Sequence, residues 1–172
     1  SIYHCVDSIQ DQPGMPSALI RRSERDLCVV VDAVFTTSPE LQQRLELLNK
    51  QTYFFGNVVD AKHFRRAFEL DLPCPKDLSL IPKPRILFIG ALDSYKINLV
   101  MMEELILKTP NWSYVLVGPI AECDASTDLS SVTALSNVFW FDTRPYKELP
   151  DWLAHSDVAL LPLHQNDYTR FM

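Results

Sequence analysis

Two rhythms of apolar and polar residues alternate along the chain. Short, nearly continuous apolar runs suit buried strands. Apolar residues spaced three and four apart suit helices with one buried face. Before Asp71 the strand candidates are Ile2 to Val6, Ala33 to Thr37 and Thr52 to Phe55. Pro13, Gly14 and Pro16 mark a turn, and Ser17 is the expected N-cap of a helix reaching about Val30. Ser38 is expected to cap a second helix, with Pro39 and Glu40 in its first turn and Leu41, Leu45 and Leu48 on one face.

After Arg85 the rhythm is clearer. Arg85 to Ile89 predicts a strand ended by Gly90, and a helix is expected over about Tyr95 to Lys108, closed by Thr109-Pro110. Ser113 to Val117 predicts a strand ended by Gly118-Pro119, and Leu129 to Leu135 a weaker helix. Val138 to Phe141 reads as a strand, Pro150 to His155 as a short helix and Asp157 to Leu161 as a last strand. Apolar strands alternating with helices indicate an α/β fold with Rossmann-like parallel sheets covered on both faces. Ligands of such sheets sit beyond the carboxyl ends of the strands. The segments to inspect are therefore 90–96, 118–122, 142–147 and 163–169.

Four prolines, Pro73, Pro75, Pro82 and Pro84, disfavour both helix and ladder pairing between the two halves. Residues 1–70 are expected to be the tail of one domain, 71–84 a linker, and 85–172 a truncated second domain. The chain starts at Ser1 rather than Met and stops at Met172, which reads as an excerpt of a longer protein.

Composition narrows the function. Of 172 residues 47% are hydrophobic and 22% charged, which is ordinary globular usage. The net charge of −6, with no long Lys/Arg run, argues against a general nucleic-acid binder. No apolar run approaches the roughly 18 residues of a membrane span, and no signal peptide is visible. Cys5, Cys28, Cys74 and Cys123 form no Cys-x-x-Cys pair, and His4, His63, His155 and His164 are scattered. No metal site is expected, and a reduced, cytoplasmic setting is favoured. The four glycines exclude Gly-x-Gly-x-x-Gly, the Gly-x4-Gly-Lys phosphate loop and the Gly-x-Ser-x-Gly elbow.

Three strand ends carry the remaining chemistry. Ile89-Gly90-Ala91-Leu92 precedes Lys96 at the expected helix start, so a glycine, a helix N-terminus and an ammonium together suit a diphosphate. Gly118 follows the next strand. Arg144, Pro145 and Tyr146 follow the third, where the arginine or the tyrosine suits stacking on a nucleobase. Each feature alone also fits plain turn chemistry. His164 follows a strand end, where a structural or solvent role is the plainer reading. Glu103-Glu104 read as a solvated face, and Glu122, Asp124 and Asp128 as loop residues. Met101-Met102, Trp140 and Trp152 read as core.

In order, TTSPELQQRL (residues 36–45), GNVVDAKHF (56–64), RILFIGAL with Lys96, WSYVLVGP (112–119) and NVFWFDTRPYKELPDWLAHSDVALLP (137–162) resemble the GT-B fold glycosyltransferases of family 4 (group 1) type. The likeness is greatest to bacterial enzymes of surface-polysaccharide biosynthesis. It implies a partial GT-B architecture: the end of the acceptor-side domain, then most of the nucleotide-sugar-binding domain. It further implies a retaining, metal-independent transfer of a sugar from a nucleotide-diphosphate donor to a glycan or lipid-linked acceptor. No cofactor is implied, the nucleotide sugar being a substrate. Preorganised cations and N–H groups would stabilise the departing diphosphate. Donor-binding residues implied are Gly90, Lys96, Gly118, Arg144, Pro145, Tyr146, Asn166 and Thr169. Catalytic residues are expected outside the excerpt, which would be inactive alone. Peripheral attachment at the inner face of a membrane is a further expectation for the full-length protein.

The sequence departs from the family pattern in three places. The arginine expected after the glycine is Ala91. The usual Asn-Gly-Val-Asp reads Asn57-Val58-Val59-Asp60. Asn166-Asp167-Tyr168-Thr169 stands near the place of a donor-binding glutamate. The alternative is a Rossmann-like binding or scaffolding module without chemistry, since one architecture hosts many functions.

Overall fold

The computed structural model describes residues 1–69 and 71–171. The chain forms two compact units. One contains Ser1–Val59 together with the C-terminal segment from His164; the other is Asp60–Leu163. These boundaries differ from the expected divisions at 70 and 84. The helix just after Val59 clusters with the second unit, and the last segment returns to the first.

In the first unit, β1 (Ile2–Cys5), β2 (Ala33–Thr36) and β3 (Thr52–Phe54) make a parallel sheet in the order β1-β2-β3. The register pairs Tyr3 with Val34 and Val34 with Thr52. Helices α1 (Ser17–Val30) and α2 (Pro39–Leu45) join the strands. Ser38 caps α2 as expected, its hydroxyl accepting from Leu41 N–H at 3.3 Å. Ser17 is not a cap. It is the first residue of α1, and its hydroxyl donates to the Gln10 carbonyl at 2.5 Å. The core gathers Cys5, Cys28, Val34, Leu41, Leu45 and Phe171.

In the second unit, β4 (Arg85–Ile89), β5 (Ser113–Val117), β6 (Val138–Phe141) and β7 (Val158–Ala159) form a parallel sheet in the order β6-β5-β4-β7. Its helices are α3 (Ala61–Glu69), α4 (Lys76–Ser79), α5 (Leu99–Lys108), α6 (Ser130–Thr133) and α7 (Leu149–Ala154). The two central strands, β4 and β5, are buried on both faces, as the pattern predicts, while the edge strands β6 and β7 are more exposed. Ile86, Phe88, Tyr114 and Leu116 pack with Met102, Ile106 and Val132 on one face. Leu87, Val115 and Val117 pack with Leu78, Ile81 and Trp152 on the other. Each such buried side chain contributes about 1.5–3 kcal/mol.

The proline-rich stretch is not a bare linker. It carries α4, which starts directly after Pro75, where a missing N–H costs nothing. Ile81 and Leu78 anchor it to the sheet. Arg85, 6% exposed, clamps the same segment: Nε and Nη2 donate to the Ile81 carbonyl at 2.8 and 2.7 Å, and Nη1 to the His155 carbonyl at 3.0 Å.

Candidate functional site

All four strands of the second sheet run the same way, so Gly90, Gly118, Asp142 and Leu160 follow their strands at one end. Adjacent strand ends are laced together. Gly90 N–H donates to Val117 O at 2.9 Å, and Gly118 N–H to Phe141 O at 2.9 Å. Leu92 N–H donates to Pro119 O at 2.8 Å, and Ala121 N–H to Leu92 O at 3.2 Å. Trp140, expected in the core, lies on the edge strand β6 and is 42% exposed; its indole donates to the Gly118 carbonyl at 2.9 Å. Trp152 is buried, as expected.

The expected roles of both glycines change accordingly. Neither N–H is available to a ligand, because each completes the sheet. Gly118 is needed for a different reason: its φ is +143°, and a Cβ there would stand 2.0 Å from the Gly90 carbonyl oxygen. The N–H beside them, of Ala91, has no hydrogen-bond partner among the described residues.

Asp93 organises the neighbouring loops. Its side chain is fully buried, and Oδ1 accepts from Cys123 N–H at 3.0 Å and Asp124 N–H at 3.1 Å. Its own carbonyl accepts from Lys96 and Ile97 N–H at 3.0 and 2.9 Å. Ser94 adds two bonds, N–H to Thr127 Oγ1 at 2.9 Å and Oγ to Asp124 Oδ2 at 2.8 Å. The Ser126 and Ser94 hydroxyls hold the Asp124 carboxyl below the usual range. Asp128 is lowered likewise by the Ser130 N–H. Both acids thus do turn chemistry. Asp93 is the organiser that sequence reasoning missed. Its signal was a carboxylate three residues past a strand-ending glycine, next to a serine.

Lys96 does not open a helix. Asn98 caps α5, accepting from Met101 N–H at 3.0 Å, so Lys96 lies in the preceding turn. Its Nζ sits 5.1 Å from the centroid of the Tyr95 ring.

The loop after β6 is built inward as much as outward. Arg144 Nη2 pairs with Asp77 Oδ2 of α4 at 3.0 Å, and its guanidinium lies 5.2 and 5.3 Å from the Phe141 and Trp152 rings. That arginine is thus held between Asp77 and two aromatic rings. Pro145 precedes a 3-10 turn, Tyr146–Glu148. Tyr146 is 54% exposed.

Asn166 and Thr169 belong to the first unit. Asn166 Oδ1 accepts from Tyr168 and Thr169 N–H at 3.0 and 2.9 Å, and Thr169 Oγ1 donates to the His164 carbonyl. The pair builds the turn leading into Thr169–Phe171. The same unit holds a buried polar network: Arg44 reaches both carboxylate oxygens of Glu24 at 2.6 and 3.2 Å. Burial beside it pushes the Cys5 thiol up to about 11.

Among the described residues no group of three or more His, Cys, Asp or Glu is arranged to hold a metal. No helix among them is long and apolar enough to cross a membrane.

No family model matches the chain. Over 83 residues, 48% of the chain, it is 29% identical to a Bacillus subtilis protein described as "Putative teichuronic acid biosynthesis glycosyltransferase TuaH". That match spans 20% of the relative. Over 92% of its length the chain also superposes on Anabaena HepE in complex with UDP-glucose, with TM-score 0.67 and 18% identity. HepE in complex with UDP gives 0.66 and 17%. HepE with UDP and glucose gives 0.64 and 15%. The chain spans 45% of these solved chains. Its fold is therefore that of a Rossmann-like α/β fragment of GT-B type.

Proposed function

We propose that the chain is part of a glycosyltransferase and contributes most of its nucleotide-sugar-binding domain. The observation that carries this reading is the likeness, over 92% of the chain, to HepE, whose structures hold UDP-glucose or UDP. The 29% identity to TuaH supports the same class. In this reading the donor's diphosphate lies at the end of β4. The Ala91 N–H and the Lys96 ammonium face the charge that develops on the leaving phosphate, where fixed donors act most strongly. Ala91 replaces one usual cation, and Arg144, tied to Asp77, does not substitute for it. The N–H group and the lysine thus carry the phosphate together. Tyr146 borders the nucleobase.

Transfer is retaining and independent of a divalent metal, the acceptor is a glycan or lipid-linked sugar, and the catalytic groups lie outside this chain. The full-length protein works in the cytoplasm, peripherally at the inner face of the membrane. The test is transfer by the full-length protein from UDP-glucose with EDTA present, the product's anomeric configuration being read by NMR. Retention with undiminished rate is expected. An inverted product, or loss of rate in EDTA, contradicts the mechanism. Absence of any donor binding would favour the scaffolding alternative, which Ala91 makes the serious rival.

A further inference from the structure

A histidine from far along the chain lies flat on the aromatic ring of the β6 loop. His63, within α3, stacks on Tyr146 with ring centroids 4.5 Å apart and planes at 12°. Its Nε2 lies 3.0 Å from the Tyr146 carbonyl oxygen. A carbonyl only accepts, so Nε2 carries the proton and donates. Phe64, the next residue of α3, meets the tyrosine ring edge-on at 5.5 Å. The Asp60 carboxylate accepts from the His63 N–H at 3.0 Å and fixes the start of α3. One face of Tyr146 is thus covered, one edge is closed and its backbone is tied. The side chain still leaves 54% of the residue exposed, so the uncovered face looks to solvent.

We propose that His63 is a positioning residue for nucleobase recognition: it holds Tyr146 in place as a platform on which the base of a nucleoside diphosphate stacks. The inference rests on the nucleotide-sugar reading above. An exposed tyrosine on a loop loses rotamer freedom when a base stacks on it. A ring already stacked and tied has lost that freedom beforehand, so more of the stacking is realised as affinity. His63 acts through Tyr146 and does not itself touch the base.

The test uses the full-length protein and two probes, UDP and ribose 5-diphosphate, which share the diphosphate and differ in the base. Wild type is expected to prefer UDP by at least about tenfold, the scale of one base–aromatic stack. Tyr146→Leu brings that preference to about one. His63→Ala lowers it by at least about threefold while leaving affinity for ribose 5-diphosphate unchanged. His63→Phe, which keeps a flat ring, restores most of it. A merely structural role would weaken both probes alike, and that result in His63→Ala overturns the proposal. So does an unchanged preference in His63→Ala. Wild type binding both probes equally leaves the diphosphate reading standing and removes the platform. Wild type binding neither removes the nucleotide reading and this inference with it.

Discussion

Two glycines that end adjacent strands touch one another, and this contact was hidden in the sequence. Gly90 and Gly118 were legible as strand-ending residues, because an apolar run followed by glycine is a local signal. Their backbone use was not legible, since it depends on a partner strand 28 residues away. Replacing Gly118 by alanine should cost about 3 kcal/mol, because the new Cβ would meet the Gly90 carbonyl and the φ is strained as well. Gly14→Ala is the control. Its φ is +76° but nothing lies within 4 Å, so only backbone strain of about 1 kcal/mol is expected. Urea denaturation of the full-length protein measures both. Equal costs would mean that the close approach at Gly118 is absent. Asp93 teaches the same lesson. Its type and position were visible, but its burial and its two N–H bonds from Cys123 and Asp124 were not.

Element by element, the strands were the most legible part. All seven fall where apolar runs predicted them, although β7 has shrunk to two residues. Helix starts were less legible, because several residues can cap and only packing chooses among them. The expected start of α5 near Tyr95 moves to Leu99, where Asn98 supplies the cap. Asn98→Ala should therefore destabilise the fold by about 1 kcal/mol. Thermal or urea unfolding reads it; a zero effect would place the helix start elsewhere. Two helices were not expected. α4 is four residues long and embedded among prolines. α3 does place Ala61, Phe64, Ala67 and Phe68 at helical spacing, but the run is short and none of its positions is fully buried. The signal for α3 was Asp60, whose carboxylate caps it through the His63 N–H.

At the scale of the molecule, the parallel α/β class followed from rhythm alone, while the grouping of segments did not. The chain from His164 onward returns to the first unit through Phe171, a contact between residues too distant in sequence for any local pattern to show. The fold places most of the expected residues in the loops at one end of one sheet. Both glycine N–H groups are used within the sheet, and Arg144 pairs with Asp77. The central claim is that this sheet end holds the diphosphate of a nucleotide sugar. Its most direct test is calorimetric titration of the full-length protein with UDP-glucose, wild type against Lys96→Ala. The account predicts saturable binding by wild type, weakened about tenfold or more in the variant, as loss of a charge-assisted contact requires. Binding that is absent in wild type, or equal in the two proteins, would contradict it.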